Sequence, residues 1–358
     1  MTAPPLAASV TAANDLTARW CAAARRGEFV LSGAGLWPLL ALLASAADGP
    51  ARDELQRAAG EGHGTTEAIE VLRALSGGVA TSAALGVWVR ADLPLHRDWV
   101  STLPVGVVEE LTGQQRLDAW AAEHTRGMIE RFPLQVRPTD LLVLATALAA
   151  KTRWREPFDP GPVLTRSTHD LDQIAVLGGS VTRVVVEGED ELDVHLLLGH
   201  DALGVGIAAL DGTVGLRSGS SLEDGSAAPG LTVRTTRGEA DSVRVSLPPF
   251  EIRSSHDLCA DPELFGLTSA MDTEHGHFPA ISPEPLAISQ GAQDVYAAFS
   301  AEGFEAAAVT AFAMQLAGVF MPPRKRVRLI EVKFEPPFGF LAVHRPSGLV
   351  VVAGQVAP

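Results

Sequence analysis

Near Leu141 the periodicity of this sequence changes, and that change limits the folds open to it. Up to about Glu130 the text reads mostly helical. "NDLTARWCAAARRG" is alanine-rich, with Asn14 or Asp15 as a cap and Gly27 as a stop. "LWPLLALLASAADG" predicts a strongly apolar helix that tolerates Pro38 only in its first turn and closes at Gly49. "PARDELQRAAG" predicts a short amphipathic helix, and "QQRLDAWAAEHTRGMIERF" puts Leu117, Trp120, Met128 and Phe132 near one helical face. From Leu141 onward short β-branched runs take over. "VTRVVVEG", "ELDVHLLLG", "GVGIAAL", "LTVRTT", "DSVRVSL", "EVKFE", "GFLAVHR" and "LVVVAGQV" each predict a strand, bounded by Gly, Pro or Asp. The Gly/Ser-rich stretch Thr213–Gly230 predicts an exposed connection. Helices first and strands later predict an α+β fold with large antiparallel sheets.

The bulk numbers exclude several roles. A net charge of −15 argues against a nucleic-acid partner, whose binding face is basic. The one basic cluster, Arg324-Lys325-Arg326 with Arg328, is too short to change that. The longest apolar run, Leu141–Ala150, is about half of what a membrane-spanning helix needs. The first residues show no basic segment followed by an apolar core, so the expectation is a cytoplasmic monomer, with secretion by another route left open. Cys21 and Cys259 are expected to be two free thiols, since two cysteines make no disulfide framework in a chain of 358 residues.

Catalytic and metal chemistry find little support. "DTEHGHF" holds Asp272, Glu274, His275 and His277, but it lacks the helical His-Glu-x-x-His spacing and reads as a solvated loop. "THD" (Thr168–Asp170) and "SSHD" (Ser254–Asp257) set Ser or Thr beside His and Asp, yet triads assemble in space, not along the chain. No nucleophile elbow, phosphate-binding loop or dinucleotide fingerprint is present. The reading is of a protein that is not an enzyme and needs no cofactor or metal.

The segment Ser300–Arg328 is harder to place. It starts with an acidic cluster, carries no charge from Ala306 to Pro323, and then turns basic. As a helix it stacks Phe304, Ala308, Phe312 and Leu316 in one stripe. As a strand it puts Phe304, Ala306, Ala308, Thr310, Phe312 and Met314 on one face, and Glu305, Ala307, Val309, Ala311, Ala313 and Gln315 on the other. Pattern alone leaves the two readings even.

Several stretches, in order along nearly the whole chain, resemble the serpins. They are Phe29–Gly60, "LDAWAAEHTRGMIERF", "LLVLATALAAKTRWREPFD" with Lys151-x-x-Trp154, "VSLPPFEIRSSHDL", "FPAIS" and the close "EPPFGFLAVHRPSGLVVVAGQVAP". "AEGFEAAAVT" (Ala301–Thr310) is similar to the family's reactive-loop hinge. The resemblance implies one domain over 1–358, with helices clustered around three β-sheets and an exposed reactive loop at about 301–326. It implies a suicide-substrate inhibitor of a serine protease, with a non-inhibitory binding protein or a plain protease substrate as the alternative. The hinge would be Glu302, Gly303, Phe304, Glu305, Ala306, Ala307, Ala308 and Thr310. The scissile bond would join Ala317 to Gly318, suiting an elastase- or subtilisin-like protease better than a trypsin-like one. Ser32, Thr146, Gln293 and Trp154 would occupy the region that governs opening of the main sheet.

This chain departs from the family pattern at identifiable positions. Phe304 stands where the family usually has Thr or Ser; a ring entering a packed sheet costs about 1–3 kcal/mol unless a pocket is shaped for it. Thr146 and Gln293 stand where the family usually has an Asn and a His; the two can still pair as donor and acceptor, and the expectation is a repacked polar network with no change of function. Gly35 replaces a Ser. The segment between Leu210 and Leu231 is trimmed, which is expected to leave the mechanism alone.

Overall fold

The computed structural model describes residues 5–24, 27–304 and 325–358. The described elements are, in chain order, α1 (Pro5–Ala23), β1 (Phe29–Leu31), α2 (Gly33–Ala46), α3 (Gly49–Ala59), α4 (Thr65–Ser76), β2 (Thr81–Val89), α5 (Arg97–Thr102), β3 (Val108–Glu110), α6 (Gln114–His124), β4 (Leu142–Ala150), β5 (Thr152–Arg153) and β6 (Leu164–Thr168). They continue with β7 (Ile174–Leu177), β8 (Val181–Glu187), β9 (Leu192–Leu198), α7 (Ala202–Ala208), β10 (Leu216–Ser218), β11 (Ala227–Ala228), β12 (Leu231–Gly238), β13 (Ser242–Leu247) and β14 (Phe250–Asp257). The last are α8 (Pro262–Phe265), β15 (Ala292–Phe299), β16 (Gly303–Phe304), β17 (Lys325–Lys333), β18 (Phe338–His344) and β19 (Leu349–Val356).

The α+β expectation holds. Helices pack around a seven-stranded sheet ordered β1-β19-β18-β9-β8-β7-β10, a five-stranded sheet ordered β11-β12-β17-β13-β6, and a main sheet in two halves, β3-β2-β4 and β14-β15-β16-β5. β18 and β19 read as continuous apolar runs because both faces are covered; all seven residues of β18 are buried. α2 is apolar on every side and is accordingly buried at the centre, where it packs against β4 and β19. Ser32 caps it, accepting a hydrogen bond from the Gly35 N–H at 3.0 Å, and its hydroxyl donates to the Val351 carbonyl of β19 at 2.7 Å.

Several expectations need correction. Asn14 does not cap a helix; it sits inside α1, where its side chain accepts from Val350 N–H at 2.8 Å and donates to Gly348 at 3.0 Å. Pro38 lies beyond the first turn of α2 and forfeits a ladder hydrogen bond there. Gly49 opens α3 instead of closing α2, which ends at Ala46. α6 stops at His124, because Arg126 and Gly127 take φ of 55° and 81°. Trp120 and Phe132 still meet around Trp88, at ring-centroid distances of 4.9 and 5.9 Å. "GVGIAAL" forms α7, not a strand: its small residues let the helix lie close on the seven-stranded sheet, where a Cβ at Gly206 would stand 2.3 Å from Leu197. β2, an Ala-rich strand, falls inside the region read as helical. The stretch Thr213–Gly230 contains β10 and β11 as well as turns.

The histidine motifs are structural. Ser254 Oγ accepts from Val30 N–H at 2.9 Å and His256 Nε2 contacts the Val30 carbonyl at 2.8 Å, so "SSHD" clamps β1. His169 bonds the Asp241 carbonyl, and His275 pairs with Asp272 in an exposed turn. Cys21 and Cys259 are unpaired, and burial pushes the Cys21 thiol up to about 12.

Candidate functional site

The seam of the main sheet is the candidate site. Among the described residues no backbone ladder joins β4 to β15. Between them lies a cleft of about 130 Å³, floored by Ser32 and Gly35 at the start of α2 and roofed by α6 and the chain that follows it. Both strands alternate. Ala145 and Ala147 of β4 face Trp120 of α6, while Thr146 faces α2. Val295, Ala297 and Phe299 of β15 enter the central core.

The two ends of the seam are held. At one end Gln290 Nε2 donates to Asp140 Oδ2 at 3.0 Å and to the Gln135 carbonyl at 3.2 Å. At the other, the chain leaves β15, reverses through Ser300–Gly303, and comes back as β16. Ser300 N–H donates to the Gly303 carbonyl at 2.9 Å, and Gly303 N–H to Ser300 Oγ at 3.2 Å. Trp154 fixes this turn twice, its backbone N–H donating to Glu302 at 2.9 Å and its indole N–H to Ser300 at 3.0 Å. β16 then lies between β15 and β5, with Phe304 opposite Phe299 on one side and Thr152 on the other. Only glycine fits at 303, since a Cβ there would stand 2.3 Å from the Thr152 carbonyl oxygen.

Phe304 is 2% exposed, its ring 6.1 Å from that of Phe340. The sequence makes its bulk an obstacle to entering the sheet; in the structure the ring already occupies a core pocket at the mouth of the cleft.

Thr146 and Gln293 do not pair with each other. Each binds α2 instead. Thr146 Oγ1 donates to the Gly35 carbonyl. Gln293 Oε1 accepts from Ser32 N–H at 3.0 Å and its Nε2 donates to the Ser32 carbonyl at 2.9 Å. Gly35 makes room for this: a Cβ there would sit 3.2 Å from Ser32 Oγ and 3.4 Å from Gln293 Nε2. The polar contacts of Thr146 and Gln293 thus run down each wall of the cleft to its floor, and among the described residues no hydrogen bond joins the two side chains. Sequence reasoning misses both the turn at Ser300–Gly303 and the Asp140–Gln290 link; the Ser-x-x-Gly spacing is the available signal for the first.

Of the hinge residues, Glu302, Gly303 and Phe304 are brought to the mouth of the cleft. Glu305, Ala306, Ala307, Ala308, Thr310, Ala317 and Gly318 lie outside the described residues. Among the described residues no cluster of three or more His, Cys, Asp or Glu is arranged to hold a metal, and no helix is long and apolar enough to cross a membrane.

The family model for "Serpin (serine protease inhibitor)" matches residues 7–170 and 226–358. The chain belongs to the serpin family. A putative serpin-Z5 of Oryza sativa subsp. japonica is 26% identical over 385 residues, covering 92% of this serpin and 84% of the rice protein. Among solved structures, the thermophilic serpin tengpin in its native state superposes with a TM-score of 0.70 at 15% identity, covering 98% and 93% of the two chains. Thyroxine-binding globulin complexed with thyroxine superposes at 0.66 and 16% identity, covering 97% and 98%. At these identities the solved structures establish the serpin fold alone.

Proposed function

We propose that this serpin is a single-domain suicide-substrate inhibitor of a serine protease, and that the cleft between β4 and β15 receives its cleaved reactive loop. The observation that carries this reading is the register of β16. Extended down the cleft, the antiparallel pairings of Phe304 with Phe299 and with Thr152 put Ala306 between Ala150 and Ala297, and Ala308 between Leu148 and Val295. Continued along either wall, the same register would bring Thr310 into one row with Thr146 and Gln293, on the face that looks towards α2. Small residues therefore meet the core, and the one hydroxyl meets the polar gate. Glu305, the only charge in the inserted stretch, falls beside Lys151 on the opposite face.

The chemistry belongs to the protease. Its serine attacks the Ala317 carbonyl, an ester to the serine forms, and the Gly318 amine departs with the proton. The freed N-terminal part of the loop then zips into the cleft, gaining backbone hydrogen bonds on both sides. The esterified protease is carried to the far end of the sheet before water releases it. Loop insertion of this kind is the general behaviour of inhibitory serpins, an instance of both strand addition and conformational switching, and the register above fits it to this cleft. An Ala at the cleaved position suits an elastase- or subtilisin-like pocket. Phe304, whose bulk would favour a non-inhibitory protein, is already packed.

The test is a panel of serine proteases with detergent gels and mass spectrometry. An elastase- or subtilisin-like enzyme should give a detergent-resistant complex and a released fragment beginning at Gly318. Ala317→Arg should shift the preference to trypsin-like enzymes. Rapid cleavage by every protease with no covalent complex would contradict the reading.

A further inference from the structure

One arginine lies deep in the molecule beside the turn that leads into β16. Arg166, on β6 opposite Val245 of β13, is 5% exposed. Its two Nη atoms bind neutral acceptors and not carboxylates: Nη1 donates to the Glu156 carbonyl at 3.0 Å and Nη2 to Gln173 Oε1 at 2.9 Å. Its Nε has no partner, and its guanidinium carbon stands 4.7 Å from the centroid of the Phe158 ring. Burial works against the charge and pulls its pKa down. A cation buried without a carboxylate costs stability, and an apolar side chain of similar size would fill the place with less loss. Packing alone therefore gives no reason for an arginine here.

What Arg166 holds is the piece of chain that joins the two walls of the cleft. Trp154–Phe158 follows β4 and β5, and its backbone binds the turn that follows β15. Trp154 N–H donates to the Glu302 carbonyl at 2.9 Å, and Phe158 N–H to the Ala301 carbonyl at 2.8 Å. The Phe158 ring meets Phe299 of β15 edge-on at 5.6 Å, and Phe299 is the residue opposite Phe304. Arg166 reaches this segment twice, at the Glu156 carbonyl and at the Phe158 ring, and it does so from another sheet. A strand entering the cleft has to part β4 from β15 while Phe304 stays in register at the mouth. A segment 154–158 that moved with one wall would pull both hydrogen bonds off the turn; tied to β6, it stays in place.

We propose that Arg166 is a positioning residue for loop entry: it braces Trp154–Phe158 against the five-stranded sheet, so that the turn at Ser300–Gly303 stays seated while the cleft opens. The inference rests on the proposed inhibitory reading. Arg166 acts on where the strand enters and not on what the protease recognises, so it bears on trapping and not on the rate of cleavage.

The experiment uses a serine protease of elastase or subtilisin type and measures two quantities: the rate at which the loop is cut, and the ratio of cleaved, released inhibitor to detergent-resistant complex. Arg166→Met should leave the rate within about twofold of wild type and raise the ratio about tenfold, as loss of two charge-assisted hydrogen bonds implies. Hydrogen exchange at the Trp154 and Phe158 amides should quicken. Arg166→Lys, which keeps a cation over Phe158, should recover part of the trapping. Arg183→Met is the control: its Nε is likewise without a partner, but it lies on β8 of the seven-stranded sheet, opposite Ala175 and Leu197. That variant should change stability in urea and leave the ratio alone. Where Arg166→Met does not fold, Gln173→Ala loosens the same guanidinium and should raise the ratio by a smaller factor. A ratio equal to wild type in the folded variant, or an equal rise in Arg183→Met, overturns the positioning role alone, provided wild type traps its protease. A wild type that is cut, forms no complex and gains no heat resistance overturns the inhibitory reading and the inference with it.

Discussion

The strands on either side of residues 305–324, β16 and β17, are built on opposite plans. On the N-terminal side, β16 enters a seam whose walls, β4 and β15, bind downward to α2 and, among the described residues, share no ladder with each other. On the C-terminal side, β17 is central in a continuous sheet and clasped on both edges. Alanines alternate with larger apolar residues along the first, Ala145 and Ala147 with Leu144 and Leu148, whereas charged side chains tie the second. On the proposed reading, the contrast means that one sheet would accept a strand and the other would keep one. A strand that adds a ladder on both sides needs a seam with unpaired edges.

The largest effect should break the comparison at the open seam. Thr310→Arg would put a charge in the row of Thr146 and Gln293, facing the core, where burial is prohibitive. The protease should still cut the loop, but detergent-resistant complex should vanish on gels. A variant that still traps would show that the facing of the inserted strand is reversed.

The next effect concerns the mouth. Phe304→Ala empties a pocket between Phe299, Thr152 and Phe340, and should cost about 3–5 kcal/mol in urea unfolding of the intact protein. A loss under about 1 kcal/mol would mean that β16 is not seated. Smaller still is a control that should leave the comparison untouched. His195 lies on β9 of the seven-stranded sheet, and burial, with Arg183 nearby, pushes its imidazole down to about 4. Unfolded, the ring takes a proton below about 6.5; folded, it stays neutral until about 4. Stability is therefore complete above about pH 6.5 and falls by roughly 3 kcal/mol as the pH drops to about 4. Intact and nicked protein should lose it in parallel, and His195→Gln should remove the slope. Unequal losses would connect His195 to the seam.

Much of this architecture is legible in the sequence where one physical signal dominates. Apolar runs mark β9, β18 and β19, which are covered on both faces, and apolar–polar alternation marks β12 and β13, which bury one face. Where small residues prevail the signal fails. "GVGIAAL" reads as a strand and forms a helix, and the Ala-rich β2 lies in text that reads as helical, since alanine and glycine carry too little side chain to show a period. Asn14 looks like a cap because caps and buried polar brackets use the same residue types. At the site, the resemblance singles out Glu302, Gly303, Phe304 and Trp154, and the structure brings these four together at the mouth of the cleft. The destinations of Thr146 and Gln293 are not, because a hydrogen-bond partner more than a hundred residues away leaves no mark on local spacing. Nor is the central place of β17, which depends on β12 arriving from a segment that looks dispensable.

The central claim is that the seam is an unfilled strand position. Cutting the loop with a catalytic amount of protease and then heating tests it most directly. The inserted strand should raise the unfolding midpoint by about 10–15 degrees, because ~10 kcal/mol of added ladder and core contact is divided by the large unfolding entropy of a chain of 358 residues. A nicked protein that melts where the intact one does would contradict the account.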